Sequence, residues 1–314
     1  MLKIVFLDRG SLPVAVRRPN LAHEWVEFDG TSPDEVQARI HDADVVITNK
    51  VRLNADAVTQ ATKLKLIAVS ATGTNNVDLA AAQARGTPVC NIRGYADNTV
   101  PEHALMLMLA LARNLPAYRV AVAEGDWANS PHFCLFGPPI RDLNGKTVAI
   151  VGNGSLGEKT AALCTAFGMR VLKVEHKQAT SVRPGYTAFK EALSTADVIS
   201  LHCPLTDATR GLIGATELSA MRPDAILINT ARGGLVDEAA LAEVLRQGRL
   251  GGAGFDVLHE EPPRNGNPLL TQQQSNLIVT PHVGWASFEA MSRLAEQLIG
   301  NIEAWAAGTP RNLV

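Results

Sequence analysis

The sequence predicts an α/β protein made of two doubly wound parallel sheets. Short apolar runs alternate with helical stretches twice along the chain, and in the second half an apolar strand runs straight into a glycine-rich turn. With 314 residues there is enough chain for two domains, each with its own core.

In the first half, strand-like runs stand at 2–7, 24–28, 45–48, 64–69 and 89–92, with helical stretches such as 33–41 and 54–61 between them. That alternation implies a parallel sheet of five strands covered by helices. A single long helix is expected over 98–124, with Pro101 in its first turn, where a missing N–H does no harm. A loop rich in Pro, Phe and Gly follows at 126–139. The second half starts at Lys146 and continues with strands at 170–174, 198–202, 225–229, 252–255 and 277–280. Helices are expected at 155–167, 189–195, 216–221 and 237–247. Six strands so spaced make a complete doubly wound nucleotide fold. The tail, 287–307, sets Met291, Leu294, Leu298, Ile302 and Trp305 at helical spacing. This stripe is expected to pack on the first domain, giving a discontinuous domain of 1–97 plus 286–314 and a second of 98–285.

Composition excludes several classes. Apolar residues make up 46% and charged residues 19%, ordinary for a globular protein. A formal net charge of −2 offers no electrostatic footprint for nucleic acid or an anionic membrane. The longest apolar stretch, 104–112, is too short to span a bilayer. The opening, Met1-Leu-Lys-Ile-Val-Phe-Leu-Asp8, reads as a first strand rather than a signal peptide. Cys90, Cys134, Cys164 and Cys203 form no C-x-x-C pair, so reduced thiols of a cytoplasmic protein are expected and a metal site is not.

The segment Val148-Ala-Ile-Val-Gly-Asn-Gly-Ser-Leu-Gly157 carries the most chemistry. Gly152 suits a tight turn, Gly154 lets backbone approach a pyrophosphate, and Gly157 lets the next helix pack closely on the strand. The free N–H groups of that helix would face phosphates. Glu175 closes the next strand, 18 positions after Gly157, near the distance expected of a carboxylate that holds ribose hydroxyls. Strand, glycines, helix and acid together read as a dinucleotide site.

Hydride transfer also needs a cation for the substrate, a proton donor and a group to tune that donor. Each is available at a strand's C-terminal end. Arg232 follows strand 225–229 and presents a planar fork suited to a carboxylate. His282 follows strand 277–280 and has the titration range of a general acid. Between them, Glu260 and Glu261 both qualify by composition to hold the far nitrogen of His282.

These residues resemble the D-isomer-specific 2-hydroxyacid dehydrogenases, and within them the glycerate dehydrogenase/hydroxypyruvate reductase branch. The resemblance covers nearly the whole chain. It rests on Ala71-Thr-Gly-Thr-Asn-Asn-Val-Asp78, Asn98-Thr-Val-Pro-Glu-His103, the glycine turn, His202-Cys-Pro-Leu-Thr206, Ile228-Asn-Thr-Ala-Arg-Gly-Gly234, Gly254-Phe-Asp-Val257 and Thr280-Pro-His-Val-Gly-Trp285. It implies a Rossmann nucleotide domain and a flavodoxin-like substrate domain. The family's catalytic arginine falls on Arg232 and its acid histidine on His282; its glutamate precedes a proline, which selects Glu261. The resemblance further implies an NAD site formed by Gly152, Asn153, Gly154, Ser155, Leu156, Gly157 and Glu175, with the turn of His202, Cys203 and Pro204 lining the adenosine and ribose pocket. Thr209, Thr230, Ala231, Asp256, Gly284 and Val100 complete that site, Asp256 lying near the carboxamide. Ala71, Thr72 and Gly73 would cradle the substrate carboxylate, although Ala71 stands where the wider family has glycine.

Glu175 would repel a 2′-phosphate and favour NAD(H), with His176 and Lys177 as cations that soften the preference. A homodimer through the nucleotide domain is implied, with Trp127 either reaching the partner's active-site mouth or buried in the interface. The expected activity is reduction of a short 2-keto acid, hydroxypyruvate or glyoxylate first, as the two lobes close over it. The alternatives are an NADH-responsive binding protein of the same fold, or a dehydrogenase for another small anion such as phosphite.

Overall fold

The computed structural model describes residues 1–271 and 274–314, and the chain divides into two compact units, Met1–Ala96 with Ala286–Val314, and Asp97–Trp285.

The first unit runs through β1 (Leu2–Phe6), β2 (His23–Glu27), α1 (Val36–Ile40), β3 (Val45–Thr48), α2 (Ala55–Gln60), β4 (Leu66–Val69), α3 (Leu79–Ala84) and β5 (Val89–Cys90). Its strands are all parallel, in the order β2-β1-β3-β4-β5 of flavodoxin-like sheets. Every residue of β3 and β4 is buried, as expected of strands covered on both faces. The helix starts are set by side chains: Asn54 accepts the N–H of Ala57 at 2.9 Å, and Asp78 that of Ala81 at 2.9 Å. Helix α3 is an addition to the elements expected from the sequence.

The second unit holds α4 (Thr99–Ala112), α5 (Leu115–Ala123), β6 (Thr147–Val151), α6 (Ser155–Ala166), β7 (Arg170–Val174), α7 (Phe189–Thr195), β8 (Val198–Leu201), α8 (Ala215–Ala220), β9 (Ile226–Asn229), α9 (Glu238–Arg246), β10 (Gly252–Phe255) and β11 (Leu277–Val279). The single helix expected over 98–124 is in fact two, bent by 60°. Asn114 sits at a left-handed φ of 50°. Pro116 has no N–H to offer the carbonyl of Ala112, four residues back, which instead accepts the N–H of Arg141 at 2.9 Å.

The second sheet is also all parallel, in the order β11-β10-β9-β8-β6-β7. Thr187 adds a single parallel bridge beyond β7, at Val174. The strand that would follow β7 in a full dinucleotide fold is thus reduced to one residue. Chain direction across the sheet reverses between β6 and β8, the switch point where such folds bind ligands. Apolar clusters fill both faces: Phe255, Leu227 and Ile199 on one, Leu107, Met108 and Ile150 on the other.

Finally α10 (Phe288–Ala306), capped by Ser287, lies in the first unit, packed on β4. Asn301 Nδ2 donates to the Asn91 carbonyl at 2.9 Å and Gln297 Oε1 accepts the Arg93 N–H at 2.7 Å, which ties the helix to the segment after β5.

Candidate active site

The glycine turn is held by contact rather than by flexibility alone. Gly152, directly after β6, has φ 101°, and a Cβ there would lie 2.5 Å from the carbonyl carbon of His202. A Cβ on Gly157 would lie 2.0 Å from the Gly152 oxygen, so α6 sits directly on the turn. Gly154 differs: nothing stands within 4 Å of its would-be Cβ. The space beside it is open, and the first-turn N–H groups of Ser155, Leu156 and Gly157 have no partner within the helix. The Ser155 hydroxyl donates to Asp97 at 2.8 Å.

A cavity of about 560 Å³ adjoins this turn, lined among others by Gly152, Asn153, Glu175, Arg183, Cys203 and Thr209. The peptide N–H of His202 donates to Val151 at 2.7 Å, which stitches the turns after β6 and β8 together. The His202 ring bonds Ser200 at 2.9 Å, and burial pushes its pKa down to about 4. Burial raises the Cys203 thiol to about 11. Thr209 Oγ1 donates to the carbonyl of Pro204 at 2.7 Å and shapes that turn. Val100 is buried in the first turn of α4.

At the end of β7, Glu175 is almost fully buried. Hydrogen bonds from Arg183 and from the His176 N–H hold its carboxyl well below the usual range, at about 2. Lys177 does not point to it. Its ammonium lies 2.9 Å from Glu217 and donates to the Leu212 carbonyl at 2.9 Å, although Lys177 lines the same cavity as Glu175.

Successive strand ends carry the candidate chemistry. After β9, the Asn229 side chain clamps its own turn, donating to the Arg232 carbonyl at 2.9 Å and accepting the Ala231 N–H at 3.1 Å. The Thr230 hydroxyl is buried without a hydrogen-bond partner. Arg232 is exposed and donates to the Ala231 carbonyl at 2.7 Å. Its neighbour Gly233 is required by close packing. A Cβ there would lie 1.8 Å from the Leu258 oxygen, so Gly233 lets the turn after β9 press against the loop after β10.

That loop separates the two glutamates. Glu260 accepts from Asn265, at 2.9 and 3.2 Å. Glu261 accepts the Leu258 N–H on Oε1 at 2.8 Å and meets His282 Nδ1 with Oε2 at 2.7 Å. His282 follows β11 with a left-handed φ of 55°. The loop that imposes this conformation is held by Asp256, which accepts the Thr280 hydroxyl at 2.6 Å and the N–H groups of Val283 at 2.9 Å and Gly284 at 2.7 Å. Trp285 Nε1 donates to the His282 carbonyl at 2.9 Å. With Nδ1 committed to Glu261, Nε2 is the nitrogen left to exchange a proton with a ligand.

Two residues of this network escaped the sequence reading. His103 on α4 bonds Thr280 Oγ1 at 2.9 Å and lies 3.5 Å from Asp256; burial lowers its pKa, partly offset by that carboxylate. It stood inside a quoted motif without a role. Arg183 lies eight residues beyond Glu175 in an irregular stretch, where no periodic signal marks it. Ala71, Thr72 and Gly73 belong to the first unit, directly after β4, where Thr72 donates its hydroxyl to the Ile92 carbonyl at 2.7 Å.

These features fit a dinucleotide: an open glycine before a helix N-terminus, a cavity at the switch point, and an orphaned buried hydroxyl at Thr230.

Residues 105–284 match the family model described as D-isomer specific 2-hydroxyacid dehydrogenase, NAD binding domain. The chain is 50% identical to a glycerate dehydrogenase of Methylorubrum extorquens, across 99% of this chain and 98% of that one. It is 35% identical to a hydroxypyruvate reductase of Blautia hydrogenotrophica, across 93% and 92%. Among solved structures, the TT0316 protein of Thermus thermophilus superposes with a TM-score of 0.85 at 33% identity, covering all of both chains.

Proposed function

The chain belongs to the D-isomer specific 2-hydroxyacid dehydrogenase family, and within it we propose a reductase of short 2-keto acids, hydroxypyruvate and glyoxylate first. The observation that carries this reading is the 2.7 Å contact between His282 Nδ1 and Glu261, in the same unit as the glycine turn. A protein that only senses the nucleotide has no use for such a proton-donor pair.

In this proposal, the turn from Gly152 to Gly157 holds the pyrophosphate, Glu175 and the 202–204 turn face the adenosine ribose, and Thr230, Ala231, Asp256 and Gly284 lie toward the nicotinamide. When bound, that ring supplies the hydride to C2 of the keto acid. Arg232 binds the substrate carboxylate and polarises the ketone. A role for the backbone of Thr72 and Gly73 in binding the substrate carboxylate is taken from the family resemblance. Protonated His282 gives its Nε2 proton to the oxygen on C2, while Glu261 stabilises the charged ring and fixes its orientation. In the reverse direction the neutral ring takes that proton back from a D-2-hydroxy acid.

The enzyme is further proposed to be a cytoplasmic homodimer formed through α5 and the loop after it. No residue of α5 is buried, and Phe133 and Phe136 are 93% and 85% exposed, an apolar surface suited to a second copy. Trp127 donates its indole N–H to the Phe133 carbonyl at 2.9 Å, so the ring lies within this surface, which favours the interface role.

The test follows NADH and NADPH oxidation with hydroxypyruvate, glyoxylate, pyruvate and bulkier 2-keto acids at equal concentration. The two small polar acids should lead by about tenfold in kcat/KM. Failure of every keto acid to turn over would overturn the reading.

A further inference from the structure

We propose that Arg183 sets the choice between the two nicotinamide cofactors: it masks Glu175 and offers its own guanidinium to a 2′-phosphate, so that this chain accepts NADP(H) as well as NAD(H). The inference rests on the reading that Glu175 faces the adenosine ribose.

A lone carboxylate after the second strand of a dinucleotide fold receives ribose hydroxyls and repels a 2′-phosphate. It can do so because an ionised carboxylate has about four lone-pair sites free to accept. In this chain all four are engaged. Oε1 accepts the His176 N–H at 2.8 Å and Arg183 Nη2 at 2.8 Å. Oε2 accepts the Arg183 N–H at 3.2 Å and Nε at 2.7 Å. A ribose hydroxyl that donates to Glu175 must therefore first displace one of these bonds.

Geometry favours the arginine as the group a ligand meets. The Glu175 side chain is 4% exposed and that of Arg183 53%, so the carboxylate lies beneath the guanidinium. The guanidinium stacks on the Tyr186 ring with its carbon 4.0 Å from the centroid, which holds its plane. Both residues, and Tyr186, line the 560 Å³ cavity. With Nε and Nη2 on Glu175, the Nη1 edge of the fork remains to bind an anion. The local charge sums to about zero instead of −1, which removes the repulsion on which strict NAD(H) selectivity depends.

Two consequences separate the cofactors. The 2′-phosphate of NADP(H) is received with the ion pair intact. The free ribose of NAD(H) reaches Glu175 only as Arg183 swings aside, a modest cost for an arginine half exposed to solvent.

The test uses the full-length protein without substrate. NADH and NADPH are titrated by fluorescence, and 2′,5′-ADP and 5′-ADP are compared as competitors. Expected are wild-type dissociation constants for NADH and NADPH within about tenfold of each other, and 2′,5′-ADP the better competitor. Arg183→Gln should raise the NADPH/NADH ratio of dissociation constants by about tenfold or more, the worth of one charge-assisted hydrogen bond. Arg183→Lys, which keeps the charge but loses the fork, should fall between. Glu175→Gln should move the ratio the other way. A wild-type preference for NADH above about a hundredfold, or a ratio unmoved within twofold by Arg183→Gln, overturns the role of Arg183 alone. If neither dinucleotide binds the wild type, the cofactor-site reading falls with it.

Discussion

The glycines of the turn after β6 are separable by experiment, because the structure gives two of them opposite reasons to be glycine. A methyl group on Gly157 would stand 2.0 Å from the Gly152 oxygen and 3.2 Å from Ile150 Cγ2. Relief requires α6 to move off the turn by more than 1 Å, roughly the shortfall from van der Waals contact. Overpacking of that kind costs about 1–3 kcal/mol, which lowers the Tm of a unit this size by roughly 2–12 °C. The same movement drags the first-turn N–H groups away from a bound pyrophosphate, so NADH affinity should drop by about tenfold or more. Gly154 is the contrasting case, with ordinary φ and no neighbour within 4 Å. Gly154→Ala should melt within about 3 °C of the wild type, since a weaker helix cap costs under ~1 kcal/mol. It should nonetheless weaken NADH by about tenfold, because the methyl group takes the space assigned to the phosphates. Differential scanning fluorimetry and NADH fluorescence titration measure the two effects independently. If Gly154→Ala bound NADH as well as the wild type, the pyrophosphate would not lie where the open glycine places it. If Gly157→Ala kept its Tm, the packing argument would fail.

Removal of the proton donor in His282→Ala should slow keto-acid reduction by roughly two to four orders of magnitude with little change in NADH affinity, measured by steady-state kinetics beside a cofactor titration. Glu261→Gln keeps an acceptor for the Leu258 N–H but loses the negative charge beside Nδ1, and should cost about 10–100-fold in kcat. Arg232→Ala should raise KM for the keto acid as well as lower kcat, and unchanged values of both would remove it from the site. For stability, His202 stays neutral in the folded chain down to about pH 4, whereas its ordinary value is 6.5. The unfolded chain therefore binds more protons between those limits, and stability must fall as pH drops from 6.5 toward 4. With the ring's residual exposure allowed for, the loss between pH 7 and pH 5 is roughly 1–2 kcal/mol. Urea midpoints at the two pH values measure it, and His202→Gln should flatten the difference.

Much of this architecture was legible because parallel strands buried on both faces read as plain apolar runs. Leu66–Val69 and Ile226–Asn229 stand out for that reason. Where one short segment decides the geometry, the reading failed: helical periodicity runs on through Asn114 and Pro116, while the left-handed Asn114 and the diversion of the Ala112 carbonyl to Arg141 mark the break. In the site, the strand ends pointed to Arg232 and His282, whereas Glu260 and Glu261 were equal by composition and only the family resemblance chose Glu261. Polar partners that touch other polar groups from distant segments left no such trace. His103 reaches Thr280 across 177 positions, and nothing in its local sequence announces that bond. Arg183 and Lys177 are both cations after Glu175, and only the fold decides which of them turns toward it.

Asp256 grips the segment bearing the His282 imidazole through Thr280, Val283 and Gly284. A survey that ranked residues by lost turnover would place it beside His282 and mistake a mooring for an acid. Drift at this site would therefore begin with a histidine still chemically sound but aimed elsewhere.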